Sequence, residues 1–169
     1  KDNLTSSVQS TTEITSMVFM ILLGSSIFSL VFRGFGGDDL VNSIFNDLPG
    51  GVLIPVLSVM LMIFLLGFIL DFIQITFVVV PIVGPALLAL GVDPLWLGIM
   101  IAINLQTSFL TPPFGFALFY LRGVAPETVS TAAIYKGVIP FILIQIFVLV
   151  LLSIFPELIT ALPNAVYGI

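Results

Sequence analysis

The stretch NLQTSFLTPPFGF, Asn104 to Phe116, interrupts a long apolar segment with polar side chains and two consecutive prolines. Pro112 and Pro113 both lack a backbone N–H, and each ring clashes with the carbonyl four residues earlier. The residue before a proline is also pushed out of the helical region. We therefore predict a discontinuous helix over residues 94–122 that is broken at residues 108–113.

Polar side chains before the break fall on one face of this helix, because they recur at spacings of three and four. These residues, with the glycine after the break, are Asn104, Thr107, Ser108, Thr111 and Gly115. The prolines would also free the carbonyls of Ser108 and Phe109 at the same depth. Hard oxygen ligands of this kind suit Na⁺ or a polar substrate. The alternative is a proline kink whose polar groups are satisfied by neighbouring helices.

The composition places this break inside a membrane. Of the 169 residues, 59% are hydrophobic and 8% are charged, which a water-soluble domain could not accommodate on its surface. The absence of cysteine and histidine removes thiolate and imidazole chemistry and the usual zinc and haem ligands, and no cofactor is expected. Four basic residues do not make a nucleic-acid surface.

Apolar runs and turn residues divide the rest of the chain. The predicted segments are a polar lead-in (1–13), a spanning helix (14–33), an amphipathic segment at the outer interface (34–51), a helical hairpin (52–90), a cytoplasmic loop (123–136), a last spanning helix (137–156) and an interfacial tail (157–169). Arg122 and Lys136 make the loop cytoplasmic by the positive-inside rule, although Arg33 opposes this orientation. Ser25, Ser26 and Ser29 are typical of helix contacts in membranes.

The hairpin has a polar tip near residues 71–76. Asp71 is an acid inside an apolar stretch, which favours a role as a cation ligand. Gly67, one turn earlier, would allow close backbone approach. The sequence leaves open a re-entrant hairpin and two full spans, and in the second case Asp71 would be an acid at the interface. Gln145, in the last span, is expected to make an interhelical hydrogen bond.

A hairpin followed by a broken helix is typical of one half of an inverted-repeat transporter. The residues GFILDFIQITFVVVPIVGPALLALGVDPLWLGIMIAINLQTSFLTPPFGFALFYLRGVAP resemble the C-terminal part of the large membrane subunit of tripartite ATP-independent periplasmic (TRAP) transporters. The features that carry the resemblance are Gly67 and Asp71, the PIVGP arm, GVDPLWLGI and, most specifically, NLQTSFLTPPFG. The resemblance covers nearly the whole chain.

The resemblance implies one repeat of an elevator-type carrier in the bacterial inner membrane that imports an organic anion with Na⁺. The implied partners are a small membrane subunit, a periplasmic solute-binding protein and the N-terminal remainder of the large subunit. Asp71 would belong to the hairpin tip, and Asn104, Thr107, Ser108 and Thr111 would lie near the Na⁺ and substrate sites. Asp71, Ser108 and Thr111 are the predicted Na⁺ ligands. We expect the chain to be one part of a longer protein.

Two other classes remain at this point. An intramembrane aspartyl enzyme needs two facing acids, and Asp71 alone qualifies here. A structural or assembly subunit of a membrane complex would use the break only as architecture. A second hairpin with a broken helix in a longer chain would favour the transporter.

Overall fold

The computed structural model describes residues 2–112, 115–126 and 128–168. In chain order the helices of this part are α1 (Asp2–Gly34), α2 (Gly37–Asp47), α3 (Leu53–Leu66), α4 (Phe72–Ala89), α5 (Pro94–Leu110), α6 (Phe116–Val124), α7 (Thr131–Ile154) and α8 (Glu157–Tyr167). No strand occurs in the described residues, and the predicted all-α class is confirmed.

Three of these helices are long and apolar enough to cross a membrane. They are α1 from Leu4, α4 and α7. Large hydrophobic side chains are exposed along α1 and α7, as expected of surfaces that face lipid. The prediction of a polytopic membrane protein is confirmed.

The two arms of the hairpin, α3 and α4, differ in length. The 14 residues of α3 rise about 21 Å, which is short of the roughly 30 Å hydrocarbon core of a bilayer. The 18 residues of α4 rise about 27 Å, which is close to that thickness. The first arm is shorter than a full span and the second is not, so the re-entrant hairpin and the two full spans both stay open.

The buried core lies where both arms of the hairpin meet α5. Ile63 of α3 and Ile75 and Leu87 of α4 are fully buried there, and Leu97 and Ile101 of α5 complete the cluster. The hairpin is thus packed against the helix that leads into the break, and this packing fixes the position of the tip.

One turn of α4, Ile75–Val79, is π-helical. The N–H of Val80 donates to the carbonyl of Ile75, five residues back. Pro81 has no N–H, and its ring would clash with the carbonyl of Phe77, four residues back, in an ordinary α-helical turn. A proline in this position therefore explains the widened turn.

The last span begins at Thr131, earlier than the predicted residue 137. The hydroxyl of Ser130 accepts a hydrogen bond from the N–H of Ala133, and this cap starts the helix inside the predicted loop. At the other end of the span, the indole Nε1 of Trp96 donates to the carbonyl of Leu152 at 2.9 Å. This bond joins the start of α5 to the end of α7.

The first helix also begins earlier than predicted, within the polar lead-in at Asp2. Thr11 and Thr12, near the end of this lead-in, are of the residue type that favours a helix start. Their hydroxyls instead donate to the carbonyls of Ser7 and Val8, each at 2.8 Å, which satisfies them inside a continuous helix.

Candidate functional site

The described structure interrupts the helix of residues 94–122 between Leu110, where α5 ends, and Phe116, where α6 begins. Thr111 is extended, with φ −80° and ψ 122°, which is the conformation that a following proline imposes. Pro112 lies in a turn. Pro113, the second proline of the predicted site, lies outside the described residues.

The unwound segment satisfies part of its own backbone. The N–H of Thr111 donates to the carbonyl of Ser108 at 3.1 Å, and the N–H of Gly115 donates to the carbonyl of Thr111 at 3.0 Å. The prediction that Pro112 leaves the carbonyl of Ser108 free is therefore wrong. A hydrogen bond between residues three apart, which is common at helix ends, replaces the lost bond between residues four apart.

Gly115 is buried where the backbone of residues 109–111 comes nearest to the residues after the break. A Cβ atom there would lie 2.6 Å from the carbonyl oxygen of Phe109 and 3.0 Å from that of Thr111. Any other residue would therefore force the backbone of the break apart, and glycine is required by close approach.

The hydroxyls on the predicted polar face all donate into their own helix. Thr107 donates to the carbonyl of Ile103 at 2.7 Å, and Ser108 donates to that of Leu105 at 2.9 Å. Thr111 donates to the carbonyl of Thr107 at 2.7 Å. Since each proton is already used, each oxygen can act toward a ligand only as a lone-pair donor, which is what a cation requires.

Asn104 joins the broken helix to the first arm of the hairpin. Its Nδ2 donates to the carbonyl of Met60 at 2.7 Å, and the residue is 5% exposed. The sequence predicted Asn104 as a site residue, but it gave no sign of this partner, because a backbone carbonyl has no signature in the sequence.

The tip of the hairpin contacts the end of α5 at two points. A Cβ atom on Gly67 would overlap the hydroxyl of Ser108, so the backbone of the tip lies directly on that side chain. The rings of Phe72 and Phe109 meet edge to face, with centroids 6.4 Å apart. The structure thus brings the predicted tip and the predicted break together.

Asp71 lies between these two contact points in the chain. It is partly buried and extended, and its Oδ1 accepts a hydrogen bond from the N–H of Phe72 at 2.8 Å, which caps α4. No group of three or more acidic, histidine or cysteine side chains that could hold a metal ion occurs in the part of the chain that is described. A cation bound here would be held mainly by hydroxyl and carbonyl oxygens. Its ligation by Asp71, Ser108 and Thr111 stays a prediction.

A groove of about 530 Å³ opens beside the ring contact, between α4 and α5. Its wall is largely apolar, and Thr76 and Gln106 supply its polar groups. Gln106 was not singled out from the sequence. The sequence signal was a second amide side chain in the quoted stretch. Gln106 lies off the helix face that carries Asn104, and the structure shows it exposed.

Gln145 does not make the predicted interhelical hydrogen bond. Its Oε1 is buried and has no hydrogen-bond partner within the described structure. A glutamine inside an apolar span indicates such a bond, but the sequence cannot show whether a donor lies opposite.

Residues 2–158 match the family model described as the tripartite ATP-independent periplasmic transporter, DctM component. The chain belongs to this family. The match includes the hairpin, the break and every predicted site residue. The predicted resemblance to TRAP large permeases is confirmed. The family consists of transporter components, so the expectation that the chain is not an enzyme is also confirmed.

Individual TRAP permeases are similar over much of the chain. The sialic acid TRAP transporter permease protein SiaT of Haemophilus influenzae is 36% identical over 118 residues, which cover 70% of this chain and 18% of that protein. The sialic acid TRAP transporter large permease protein SiaM of Vibrio cholerae is 26% identical over 161 residues, or 95% of this chain and 37% of that protein. The C4-dicarboxylate TRAP transporter large permease protein DctM of Vibrio cholerae is 35% identical over 91 residues, or 54% of this chain and 20% of that protein.

The chain spans at most about two fifths of the length of these TRAP permeases, and the matched region is their C-terminal part. No solved structure matches the chain.

Proposed function

We propose that this region is one half of the permease of a Na⁺-coupled secondary transporter that imports an organic anion. The observation that carries the proposal is the packing of the hairpin tip on the broken helix, where Gly67 lies against the hydroxyl of Ser108. In an inverted-repeat carrier, a tip and a break of this kind lie at the binding site near the membrane midplane.

Coupling to Na⁺ is supported by the chemistry of the oxygens at the break. The hydroxyls of Thr107, Ser108 and Thr111 have given their protons to helix carbonyls, so their oxygens are free to donate lone pairs. The carboxylate of Asp71, in the tip, adds negative charge. Oxygen ligands with one carboxylate fit a hard monovalent cation, which is transported with the substrate.

A carboxylate-type substrate is supported by the names of the relatives, which include transporters of sialic acid and of C4-dicarboxylates. The groove beside the tip has no basic residue among its described lining residues. The charge of an organic anion there would be balanced by Na⁺ and by groups from the remaining length of the permease. Substrate and cation would then bind together, which is the basis of symport.

The proposed partners follow from the family. A small membrane subunit completes the membrane part, and a soluble periplasmic binding protein delivers the solute. The N-terminal remainder of the large subunit supplies the second repeat. The proposed location is the bacterial inner membrane, and the proposed movement is that of an elevator, in which the hairpin and broken helix carry the site across the bilayer.

A structural role in a membrane complex is the second candidate, and one observation favours it. The break closes on itself through the bonds from Thr111 to Ser108 and from Gly115 to Thr111. A purely architectural break would look the same. The two candidates differ in whether the oxygens of this face bind an ion.

The test is uptake by the complete permease, reconstituted in proteoliposomes with its small subunit and its binding protein. A panel of labelled carboxylates is offered with and without an inward Na⁺ gradient. Uptake that requires both the gradient and the binding protein supports the proposal. Uptake that is the same with K⁺ in place of Na⁺ removes Na⁺ coupling. No uptake of any carboxylate by folded protein that still binds its small subunit favours the structural role.

A further inference from the structure

A cleft of about 370 Å³ lies between α1 and the π-helical part of α4, away from the tip and the break. Its α1 side is formed by three serines and Arg33, and its α4 side by Phe77 and Pro81. The sequence predicts these serines, Ser25, Ser26 and Ser29, as helix-packing residues. In the structure they line an open crevice, and only Ser25 is buried, at 7% exposure.

The polar groups of this cleft are arranged in order along α1. The hydroxyls of Ser25 and Ser26 both donate to the carbonyl of Leu22, at 3.0 and 2.8 Å, so they are satisfied. Ser29 makes no hydrogen bond to the part of the chain that the structure describes. The guanidinium of Arg33 lies one turn further along, at the end of the spanning helix.

The depth of these groups matches the layers of a bilayer. Arg33 is next to the last residue of α1 and follows its apolar run, which is the position where a charged side chain reaches the headgroup layer of a bilayer. Ser29 is four residues deeper, about 6 Å along the helix axis. The interfacial layer on each side of a bilayer is roughly 5–8 Å thick. With the guanidinium of Arg33 among the headgroups, Ser29 would lie near the level where acyl chains join the glycerol.

Arg33 is available to an anion although it has an acidic neighbour. Its Nε lies 3.5 Å from a carboxylate oxygen of Asp38, and the two side chains are 53% and 41% exposed. A solvent-exposed pair of this kind contributes little, and its guanidinium keeps further N–H groups free. Guanidinium groups bind phosphate through paired hydrogen bonds.

We propose that this cleft is a phospholipid site, in which Arg33 binds the phosphate and the hydroxyl of Ser29 donates to an ester carbonyl of the same lipid. The acyl chains then run past Ser26 and Ser25 along the apolar wall formed by Leu22, Phe77 and Pro81. The lipid would occupy the open side of the contact between α1 and the π-helical turn of α4. This site requires only that α1 spans the membrane, and it does not rest on the proposed transport function.

The experiment uses the complete membrane protein in nanodiscs that contain a phospholipid with a photoactivatable diazirine near the ester. Crosslinked peptides are mapped by mass spectrometry after illumination. We expect labelling of the α1 peptide around Ser29 and the α4 peptide around Phe77. Arg33→Gln should reduce this labelling about tenfold, the loss expected for a charge-assisted hydrogen bond. Arg122→Gln is the matched control, because Arg122 is also exposed and donates to the carbonyl of Val129.

Ser29→Leu fills the cleft and should abolish labelling there. If Ser29→Leu does not fold, Arg33→Gln still tests the site. Three results would each overturn the proposal. The first is an equal effect of Arg33→Gln and Arg122→Gln on the labelling. The second is displacement of the lipid by excess inorganic phosphate, which would make the cleft a simple anion site, and the third is crosslinking of the cleft peptides to another helix of the protein and to no lipid.

Discussion

Gly67 and Ser108 are in direct contact where the tip of the hairpin meets the broken helix, and this contact leaves no space for a Cβ atom at position 67. The backbone of Gly67 is ordinary right-handed helix, with φ −64°. Close approach, and not backbone conformation, is therefore the reason for glycine here. The contact also sets the distance between the tip and the oxygens of the break.

Gly67→Ala should destabilise the complete protein by about 1–3 kcal/mol, because overpacking forces the tip away from α5. Thermal unfolding in detergent measures the change. Gly98→Ala is the control, since Gly98 lies in α5 with nothing within 4 Å, and it should be neutral or slightly stabilising. Ser108→Gly in the Gly67→Ala background should restore stability. Equal melting temperatures for Gly67→Ala and Gly98→Ala would contradict the contact.

Asn104→Leu should destabilise the protein by about 0.5–1.5 kcal/mol, since it removes the hydrogen bond that joins α5 to the carbonyl of Met60 in α3. Urea or thermal unfolding measures this loss. The control is Gln106→Leu on the exposed side of the same helix, which should change stability by no more than about 0.5 kcal/mol. A loss for Gln106→Leu as large as that for Asn104→Leu would show that the bond to Met60 is not the cause.

Asp71→Asn should raise the Na⁺ concentration needed for half-maximal uptake about tenfold, because one charged ligand is replaced by a neutral amide. The fold should be kept, since asparagine caps a helix as well as aspartate does. Uptake is measured against Na⁺ concentration in proteoliposomes. Asp93→Asn is matched to it, because Asp93 caps α5 by accepting from the N–H of Trp96. An unchanged Na⁺ dependence in Asp71→Asn would remove Asp71 from the site.

Thr111→Val should weaken the coupling of uptake to Na⁺, whereas Thr111→Ser should preserve it, because serine keeps the hydroxyl oxygen. The ratio of Na⁺ to substrate flux measures coupling. Valine also loses the bond to the carbonyl of Thr107, so a stability measurement must accompany the fluxes. If the serine variant is as uncoupled as the valine variant, the hydroxyl is not the ligand.

Gln145→Leu should leave uptake unchanged and should stabilise the protein, by up to about 1–3 kcal/mol, because it removes a buried oxygen that has no partner. Thermal unfolding again provides the measurement. A clear loss of stability would show that the amide has a partner in the complete protein.

The local part of the site was predictable from the sequence. Pro112 acts on the residues next to it, so the end of α5 and the extended Thr111 follow from stereochemistry alone. The spacing of Asn104, Thr107 and Ser108 placed them on one face, and all three are buried. The lengths of the apolar runs, compared with the thickness of a bilayer, predicted helices that can span a membrane.

The remaining features depend on what lies opposite each residue in space. The bond from Asn104 to Met60 and the contact of Gly67 with Ser108 require the packing of three helices, which no spacing rule supplies. The missing N–H of Pro112 predicts a free carbonyl at Ser108, but the N–H of Thr111 takes the place of that donor. Two helices begin earlier than predicted for a related reason. A threonine or serine hydroxyl can bond a carbonyl inside a helix, as Thr11 does, or cap the start of one, as Ser130 does.

The hydrogen bond from the indole of Trp96 to the carbonyl of Leu152 has a mechanical consequence. It joins the N-terminal end of α5 to the C-terminal end of α7, so these two helix ends are held together. In the elevator movement proposed above, a displacement of the tip and break along the membrane normal would be transmitted through this bond to the helix that follows, α8. A fluorophore attached near Tyr167, remote from every oxygen of the break, would therefore move each time the site does.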